Sequence, residues 1–275
     1  MKTRILTAIV AIALFVPVCI FSHTIFFSAV MSILSVVGVY EISKCLGQHK
    51  RWAITIPMYI ISAILPIARR VLVKQSHFFS LAMIAIFFML IYCLTYVMLR
   101  KNQDKISDVI TLYGLFVYVV GCFSSIVCVR EMAGGKYIYL LIFLGAWVCD
   151  TFAYFTGKFL GKHKLIPEIS PKKTIEGSIG GIVFTIGAFV LYGFIVNKNF
   201  GDEIKLSYIL LVVLGLASSI ISQVGDLVAS AVKRQYDIKD YGKLFPGHGG
   251  VLDRFDSVML VAPITYVIFL IASFF

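Results

Sequence analysis

Long apolar segments alternate with short charged loops along the whole chain. Each segment approaches the roughly 20 apolar residues that a helix needs to cross the hydrocarbon core of a bilayer. The pattern therefore predicts an all-α protein, a polytopic integral membrane helical bundle with about nine transmembrane helices. The predicted helices cover residues 5–21, 24–43, 52–68, 78–99, 107–129, 137–157, 177–197, 206–232 and 255–275.

Composition supports a membrane protein and excludes a water-soluble enzyme. Hydrophobic residues make up 60% of the chain, charged residues only 14%, and the mean hydropathy is +0.94. A soluble domain has about half apolar and about a quarter charged residues. The first segment begins with Lys2 and Arg4, but no small-x-small cleavage site follows, so we expect an uncleaved helix rather than a signal peptide. The six cysteines form no CxxC pair and are expected to be buried thiols.

The net charge of +11 indicates an anionic partner. Anionic lipid headgroups or a small polyphosphate fit a polytopic membrane protein, whereas nucleic acid does not. Most Lys and Arg residues lie in the loops on the side of the N-terminus, which places that side in the cytoplasm by the positive-inside rule. This orientation depends on two basic loops, 158–176 and 233–254.

Three carboxylates, Glu41, Asp150 and Asp226, fall within or at the edges of predicted spans. A carboxylate at membrane depth is costly unless it is paired, hydrated or bound to a metal. For Glu41 we favour an inter-helix hydrogen bond or ion pair that holds the bundle together. Asp226 is a better candidate for a functional site, because its helix face is unusually polar. That face also carries Gln223, Ser230, Lys233 and Arg234.

Asp150 belongs to a second mixed face of a predicted helix. Trp147, Asp150, Thr151 and Tyr154 follow the i, i+3, i+4, i+7 spacing of residues that share one helix face. We therefore expect Asp150 to point into the bundle.

The first basic loop combines five lysines with hydroxyl and turn residues. Lys172 and Lys173 lie between Ser170 and Thr174, a composition that suits a phosphate-handling surface. The alternative is a solvated loop whose charge serves only the positive-inside rule. No GxxxxGK[ST] motif is present, so a P-loop is excluded. Thr174 is expected to start the next helix.

The second basic loop is more specific. Gly247, Gly249 and Gly250 surround His248, and such glycines let the backbone approach a ligand and direct N–H groups at an anion. Asp253 and Asp256 follow at i, i+3 spacing. With Asp226 they form a set of hard oxygen ligands suited to Mg²⁺ and substrate phosphates. Carboxylates beside lysines and a glycine turn are typical of nucleotidyl or phosphoryl transfer.

Residues 230–256 resemble the signature of the phosphatidate cytidylyltransferases, also called CDP-diacylglycerol synthases. Every fixed position of that signature is met, and the resemblance extends upstream to Asp150. The matching residues are Ser230, Lys233, Arg234, Lys239, Asp240, Gly242, Leu244, Pro246, His248, Gly249, Gly250, Val251, Asp253, Arg254, Phe255 and Asp256, with Gln223-x-Gly225-Asp226 and the stretch 170–177 before them.

The resemblance implies that CTP reacts with phosphatidic acid to give CDP-diacylglycerol and pyrophosphate, with a divalent metal. It also implies a homodimer in the membrane (the inner membrane in a bacterium) with its site open to the cytoplasm. Asp226 and Asp253 would bind Mg²⁺, with Asp256 as a further candidate; a second, monovalent cation is left open. Catalytic residues would be Asp226, Lys233, His248 and Asp253. Substrate-binding residues would be Ser230, Arg234, Lys239, Gly249, Gly250, Arg254, Lys172, Lys173 and Asp150.

Two further functions remain as alternatives. A CTP-dependent polyprenol or lipid kinase also handles CTP and a membrane lipid, but it releases CDP. A cation-coupled transporter also buries carboxylates, yet it has no need of a basic glycine loop that ends in two aspartates. The DGxxAR-type motif of the CDP-alcohol phosphatidyltransferases is missing. We expect residues 1–135 to be structural and to face lipid or a second subunit, and residues 136–275 to be catalytic.

Overall fold

The computed structural model describes residues 2–72, 74–100, 105–247 and 249–273, and within these ranges it contains nine helices and one two-stranded sheet. The predicted helices are confirmed, with ends that shift by a few residues. The elements are α1 (Lys2–Ile20), α2 (Ile25–Cys45), α3 (Trp52–Val71), α4 (Gln75–Leu99), α5 (Ile106–Arg130), α6 (Gly135–Leu160), β1 (Lys164–Ile166), β2 (Ser170–Thr174), α7 (Ile175–Phe200), α8 (Tyr208–Gln235) and α9 (Leu252–Ala272).

Eight helices of the described ranges, α2 to α9, are long and apolar enough to cross a membrane. Their burial differs widely: 61% of the most apolar window of α5 is buried inside the chain, against 17% of that of α4. A helix that is apolar on all sides yet largely exposed is stable only in an apolar solvent. The protein is therefore a multi-pass integral membrane protein.

The chain divides into two compact units. The first unit comprises Met1–Cys128 and Tyr236–Arg254, and the second comprises Val129–Gln235 and Phe255–Phe275. The predicted division of roles between residues 1–135 and 136–275 remains a prediction.

The first unit is built around α2. This helix packs against α3 and, through Gly38, against α5, because a Cβ on Gly38 would lie 3.0 Å from a methyl carbon of Val119. Phe27, Phe116 and Phe123 are fully buried in this core. Small residues at helix contacts are the usual way in which membrane helices approach closely.

The second unit is built from α6, α7 and α8, which pack against one another. Gly145 and Gly181 lie at these contacts. A Cβ on Gly145 would lie 3.1 Å from the ring of Phe189, and one on Gly181 would lie 3.1 Å from the carbonyl oxygen of Cys149. The antiparallel hairpin β1–β2 connects α6 to α7 and pairs Lys164 with Thr174. The sequence pattern predicted only helices and loops, so these two strands were not predicted.

Candidate active site

Asp226 lies on α8 with a partner on each carboxylate oxygen. The Lys173 Nζ is 2.7 Å from Oδ2, and the Ser230 hydroxyl donates to Oδ1 at 3.3 Å. Ser230 follows Asp226 by one helical turn, which places both side chains on the same face of α8. The ammonium and the hydroxyl explain how a half-buried carboxylate is tolerated in a membrane helix.

The hairpin brings Lys173 to Asp226. Thr174 ends β2 and caps α7, since its hydroxyl accepts the N–H of Gly177 at 3.1 Å. Glu176 then accepts the backbone N–H groups of Lys162 and His163, and its Oε1 lies 2.7 Å from the His163 Nδ1. The first basic loop is therefore folded onto the start of α7, and Thr174 begins that helix as predicted.

A cavity of about 430 Å³ opens beside this ion pair within the second unit. Its wall combines four lysines and two aspartates with apolar side chains. The charged residues are Asp150, Lys158, Lys164, Lys172, Lys173 and Asp226. Lysines in this excess attract a phosphate group as mobile point charges.

Asp150 corrects one expectation. The face that contains Trp147, Asp150 and Tyr154 is exposed rather than turned into the helix bundle. The reason is that Asp150 and Tyr154 line the cavity, so they face an open space shared with α7 and α8 instead of a packed helix contact. The helical spacing located the face correctly but gave the wrong surroundings.

Gly225 brings the backbone of α9 close to α8. A Cβ on Gly225 would lie 2.5 Å from the carbonyl oxygen of Asp256, so a glycine is required for this contact. The Asp256 Oδ1 accepts the N–H of Ser257 at 2.9 Å. The charges that act on Asp256 include Asp226, Asp150 and Lys233. The predicted ligands Asp226 and Asp256 therefore lie near each other in the second unit.

The second basic loop forms a tight turn in the first unit. Gly247 and Gly249 have φ values of +76° and +89°, which favour glycine. The N–H of Phe245 donates to the carbonyl oxygen of Gly249 at 2.9 Å. Asp253 is 6% exposed, and its Oδ2 accepts the N–H groups of Tyr241 and Gly250 at 2.8 and 2.9 Å. His248 lies outside the described residues.

The same turn borders a second cavity, of about 570 Å³. In its described wall, three cations, Lys239, Lys243 and Arg254, accompany one carboxylate, Asp240. Such an excess of positive charge suits a polyphosphate.

Each unit thus assembles part of the predicted site. The second unit joins Asp226, Ser230 and Lys173, and the last turn of α8 carries Lys233 and Arg234. The first unit joins Gly249, Gly250 and Asp253. Among the residues that the structure describes, no group of three His, Cys, Asp or Glu side chains could by itself hold a metal ion. The roles of individual residues, including Asp253 as a metal ligand, stay predictions.

Sequence reasoning missed two features of the site. The network of Glu176 with His163 was not foreseen, although Thr174 three residues before Gly177 signalled a helix start. The second is Glu41, whose Oε1 and Oε2 accept the N–H groups of Val251 and Leu252. An inter-element hydrogen bond was expected for Glu41, but its partners are backbone groups that no sequence pattern reveals.

Lysine-rich cavities beside carboxylates in a multi-pass helical membrane protein are typical of membrane-embedded transferases that act on phosphate groups. The sequence model of the Cytidylyltransferase family matches residues 2–272. The chain belongs to the phosphatidate cytidylyltransferase branch of this family and is a nucleotidyltransferase.

Several curated relatives cover nearly the whole chain. The phosphatidate cytidylyltransferase of Bacillus subtilis is 36% identical over 281 residues, which cover 100% of this chain and 98% of that protein. That of Staphylococcus haemolyticus is 35% identical over 269 residues, with 96% and 97% covered. That of Staphylococcus saprophyticus is 34% identical over 277 residues, with the same coverage.

Proposed function

We propose that the protein transfers the cytidylyl group of CTP to phosphatidic acid, which gives CDP-diacylglycerol and pyrophosphate for phospholipid synthesis. The observation that carries the proposal is Asp226, held by Lys173 at 2.7 Å on the wall of a lysine-rich cavity. Carboxylates with mobile cations at a polar cavity of a membrane helix bundle serve phosphate chemistry at a lipid headgroup. The curated relatives carry the name of this activity.

The lipid phosphate is assigned to the cavity of the second unit. Tyr154 and Leu165 line this cavity together with the lysines. The neighbouring end of α6 exposes Phe155 and Phe159, the latter to 73%. A lipid therefore finds cations for its phosphate beside an apolar helix face for its acyl chains.

The triphosphate of CTP is assigned to the cavity of the first unit. Lys239, Lys243 and Arg254 surround it, and the only carboxylate in the described part of its wall is Asp240. A triphosphate carries more negative charge than a phosphate monoester, so the larger and more polar cavity suits it.

The donor atoms of the second unit fit Mg²⁺. Asp226 and Asp256 supply hard carboxylate oxygens, and the Lys173 ammonium already places a positive charge on the Asp226 Oδ2. Mg²⁺ is usually bound through one or two carboxylates plus substrate phosphates. When bound, it would offset negative charge on the phosphate oxygens and the departing pyrophosphate. Asp253 and a monovalent cation complete the set that we propose from the sequence.

The reaction needs no covalent intermediate with the enzyme. An oxygen of phosphatidic acid attacks the α-phosphorus of CTP, and the bond from that phosphorus to the bridging oxygen of pyrophosphate breaks. A phosphate monoester is already largely ionised at neutral pH, with a second pKa of about 6, so no dedicated general base is required. Lys173 and Lys233 of the second unit would attract the lipid phosphate, and Arg254 of the first unit would attract the triphosphate. Their positive charges would offset the negative charge that moves to the leaving group.

We further propose that the basic loops face the cytoplasm, where CTP is found, and that the protein is a homodimer. The lysines of 158–176 and 233–254 support this orientation by the positive-inside rule.

The test uses the purified full-length protein in detergent with labelled CTP, phosphatidic acid and Mg²⁺. We expect lipid-linked CMP and pyrophosphate in equal amounts. Asp226→Asn is expected to reduce the rate by about a hundredfold or more. Asp202→Asn, which changes an exposed carboxylate in the α7–α8 connection, is the matched control and should keep the rate.

The products discriminate between the functions. CDP together with a phosphorylated lipid, formed from a lipid alcohol, would identify a kinase. Folded protein that makes neither product with several divalent metals would refute the enzymatic proposal and favour transport.

A further inference from the structure

A buried carboxylate of α2 contacts the start of α9. Glu41 is 3% exposed and follows the apolar part of α2. Its Oε1 accepts the N–H of Val251 and its Oε2 the N–H of Leu252, both at 2.9 Å. The first N–H groups of a helix lack partners within the helix and form its positive end. Glu41 supplies both an acceptor and the complementary charge, although it lies 210 residues earlier in the chain.

Two glycines of the turn make room for this carboxylate. A Cβ on Gly242 would lie 2.3 Å from the Glu41 Oε1, and one on Gly250 would lie 2.2 Å from it. Neither glycine has a positive φ, so the backbone conformation alone does not require glycine at either position. Both glycines make room for an internal anion, whereas the sequence predicted for Gly250 that it would approach a ligand.

Asp253 holds the same turn through the neighbouring amides. Its Oδ2 accepts the N–H of Gly250, directly before the two N–H groups that Glu41 accepts. Three consecutive amides are therefore committed to two buried carboxylates, one on α2 and one on α9. Arg254 follows immediately after Asp253 and lines the cavity of the first unit.

We propose that Glu41 is a positioning residue for the nucleotide site: it fixes the backbone from Gly250 to Leu252 and thereby sets the place of Arg254 and the cavity wall. Glu41 itself contacts no substrate. This proposal rests on the proposed function, in which that cavity binds the triphosphate.

The first experiment measures steady-state kinetics of Glu41→Gln with each substrate varied separately. The amide keeps the size of the side chain but directs an N–H₂ group at a backbone N–H. We expect the KM for CTP to rise about tenfold or more, because a charge-assisted hydrogen bond is lost, while the KM for phosphatidic acid stays within about twofold. Glu41→Asp keeps the charge, so its KM for CTP should lie between those of the wild type and Glu41→Gln.

A matched control uses the same helix. Ser35 is fully buried on α2, and its hydroxyl has no hydrogen-bond partner among the described residues. Ser35→Ala should leave both KM values unchanged. A purely structural role of Glu41 would instead lower the amount of active enzyme, so that the apparent kcat falls and neither KM moves.

The second experiment is a double-mutant cycle between Glu41 and Gly250. Gly250→Ala should raise the KM for CTP and lower the melting temperature in the wild-type background, where the new methyl group overlaps the carboxylate. In the Glu41→Ala background the overlap is gone, so Gly250→Ala should raise the KM for CTP by less than about twofold. The proposal would be overturned if the effects of the two substitutions on the KM for CTP were additive. An unchanged KM for CTP in Glu41→Gln would overturn it as well.

The two proposals fail in different ways. If the wild-type protein makes no CDP-diacylglycerol, the proposed function fails, whatever Glu41 does. The melting temperatures of the four proteins of the cycle still test the contact between Glu41 and Gly250. If turnover is normal but the cycle is additive, only the positioning role of Glu41 is lost.

Discussion

Gly225→Ala tests whether the contact of α8 with α9 places the carboxylates of the second unit. The added Cβ would lie 2.5 Å from the carbonyl oxygen of Asp256, whereas ordinary contacts begin at 3.4 Å. The two backbones must therefore separate by about 1 Å. Asp226 is the next residue on α8, so this shift displaces it relative to Asp256. A displacement of about 1 Å at reacting groups can cost about a hundredfold in rate.

The assay compares specific activity and melting temperature with those of Gly187→Ala. Gly187 lies inside α7 of the same unit, and a Cβ there meets nothing within 4 Å. Both changes gain about 1 kcal/mol of helix propensity, so the comparison isolates the overlap at Asp256. We expect Gly225→Ala to lose about a hundredfold in activity, while Gly187→Ala keeps the wild-type rate. Equal activity of the two variants would refute the reasoning.

Three further predictions follow from the second unit. Lys173→Met removes the cation 2.7 Å from Asp226 and should raise the KM for phosphatidic acid more than that for CTP in steady-state assays. Thr174→Ala removes the cap that accepts the Gly177 N–H and should lower stability by about 1 kcal/mol in thermal melts, which Thr174→Ser should not do. A tyrosine hydroxyl and a lysine lower the pKa of Glu203 from 4.5, so its stabilising effect is present above about pH 4.5 and is lost as the pH falls. Melting temperatures of the wild type and Glu203→Gln should therefore converge in acid, and a constant difference would contradict this.

Hydropathy was enough to predict the helices, because a membrane span must satisfy its backbone internally and be apolar along its length. It did not reveal the hairpin, because Lys164–Ile166 has only three residues and Ser170–Thr174 is polar and contains a proline. Such strands show no alternation of apolar and polar residues, so their pairing depends on the contacts of the start of α7. The surroundings of Asp150 were not predicted for a related reason: helical periodicity shows which residues share a face but not what that face meets.

The candidate site was predictable where side chains interact with side chains. Asp226, Ser230 and the first basic loop were singled out as charged or polar groups in an apolar context. The structure joins Asp226 to Ser230 and to Lys173 of that loop. The partners of Glu41 and Asp253 are backbone N–H groups, which every residue except proline carries and which leave no pattern in the sequence. Gly242 and Gly250 indicate that some group approaches the backbone closely, but a glycine does not reveal which group this is.

The carboxylates of the site differ in how easily their partners can be exchanged. The Asp253 Oδ2 accepts two backbone N–H groups of a tight turn, so a cation that bound this atom would have to compete with those hydrogen bonds. The partner of the Asp226 Oδ2 is the ammonium of Lys173, a flexible side chain that can move to a phosphate when a metal arrives. Glu41 is bound to the backbone through both oxygens. Asp226 can therefore exchange the partner of its Oδ2 without disturbing the backbone of the turn, which supports its proposed role as a ligand of Mg²⁺.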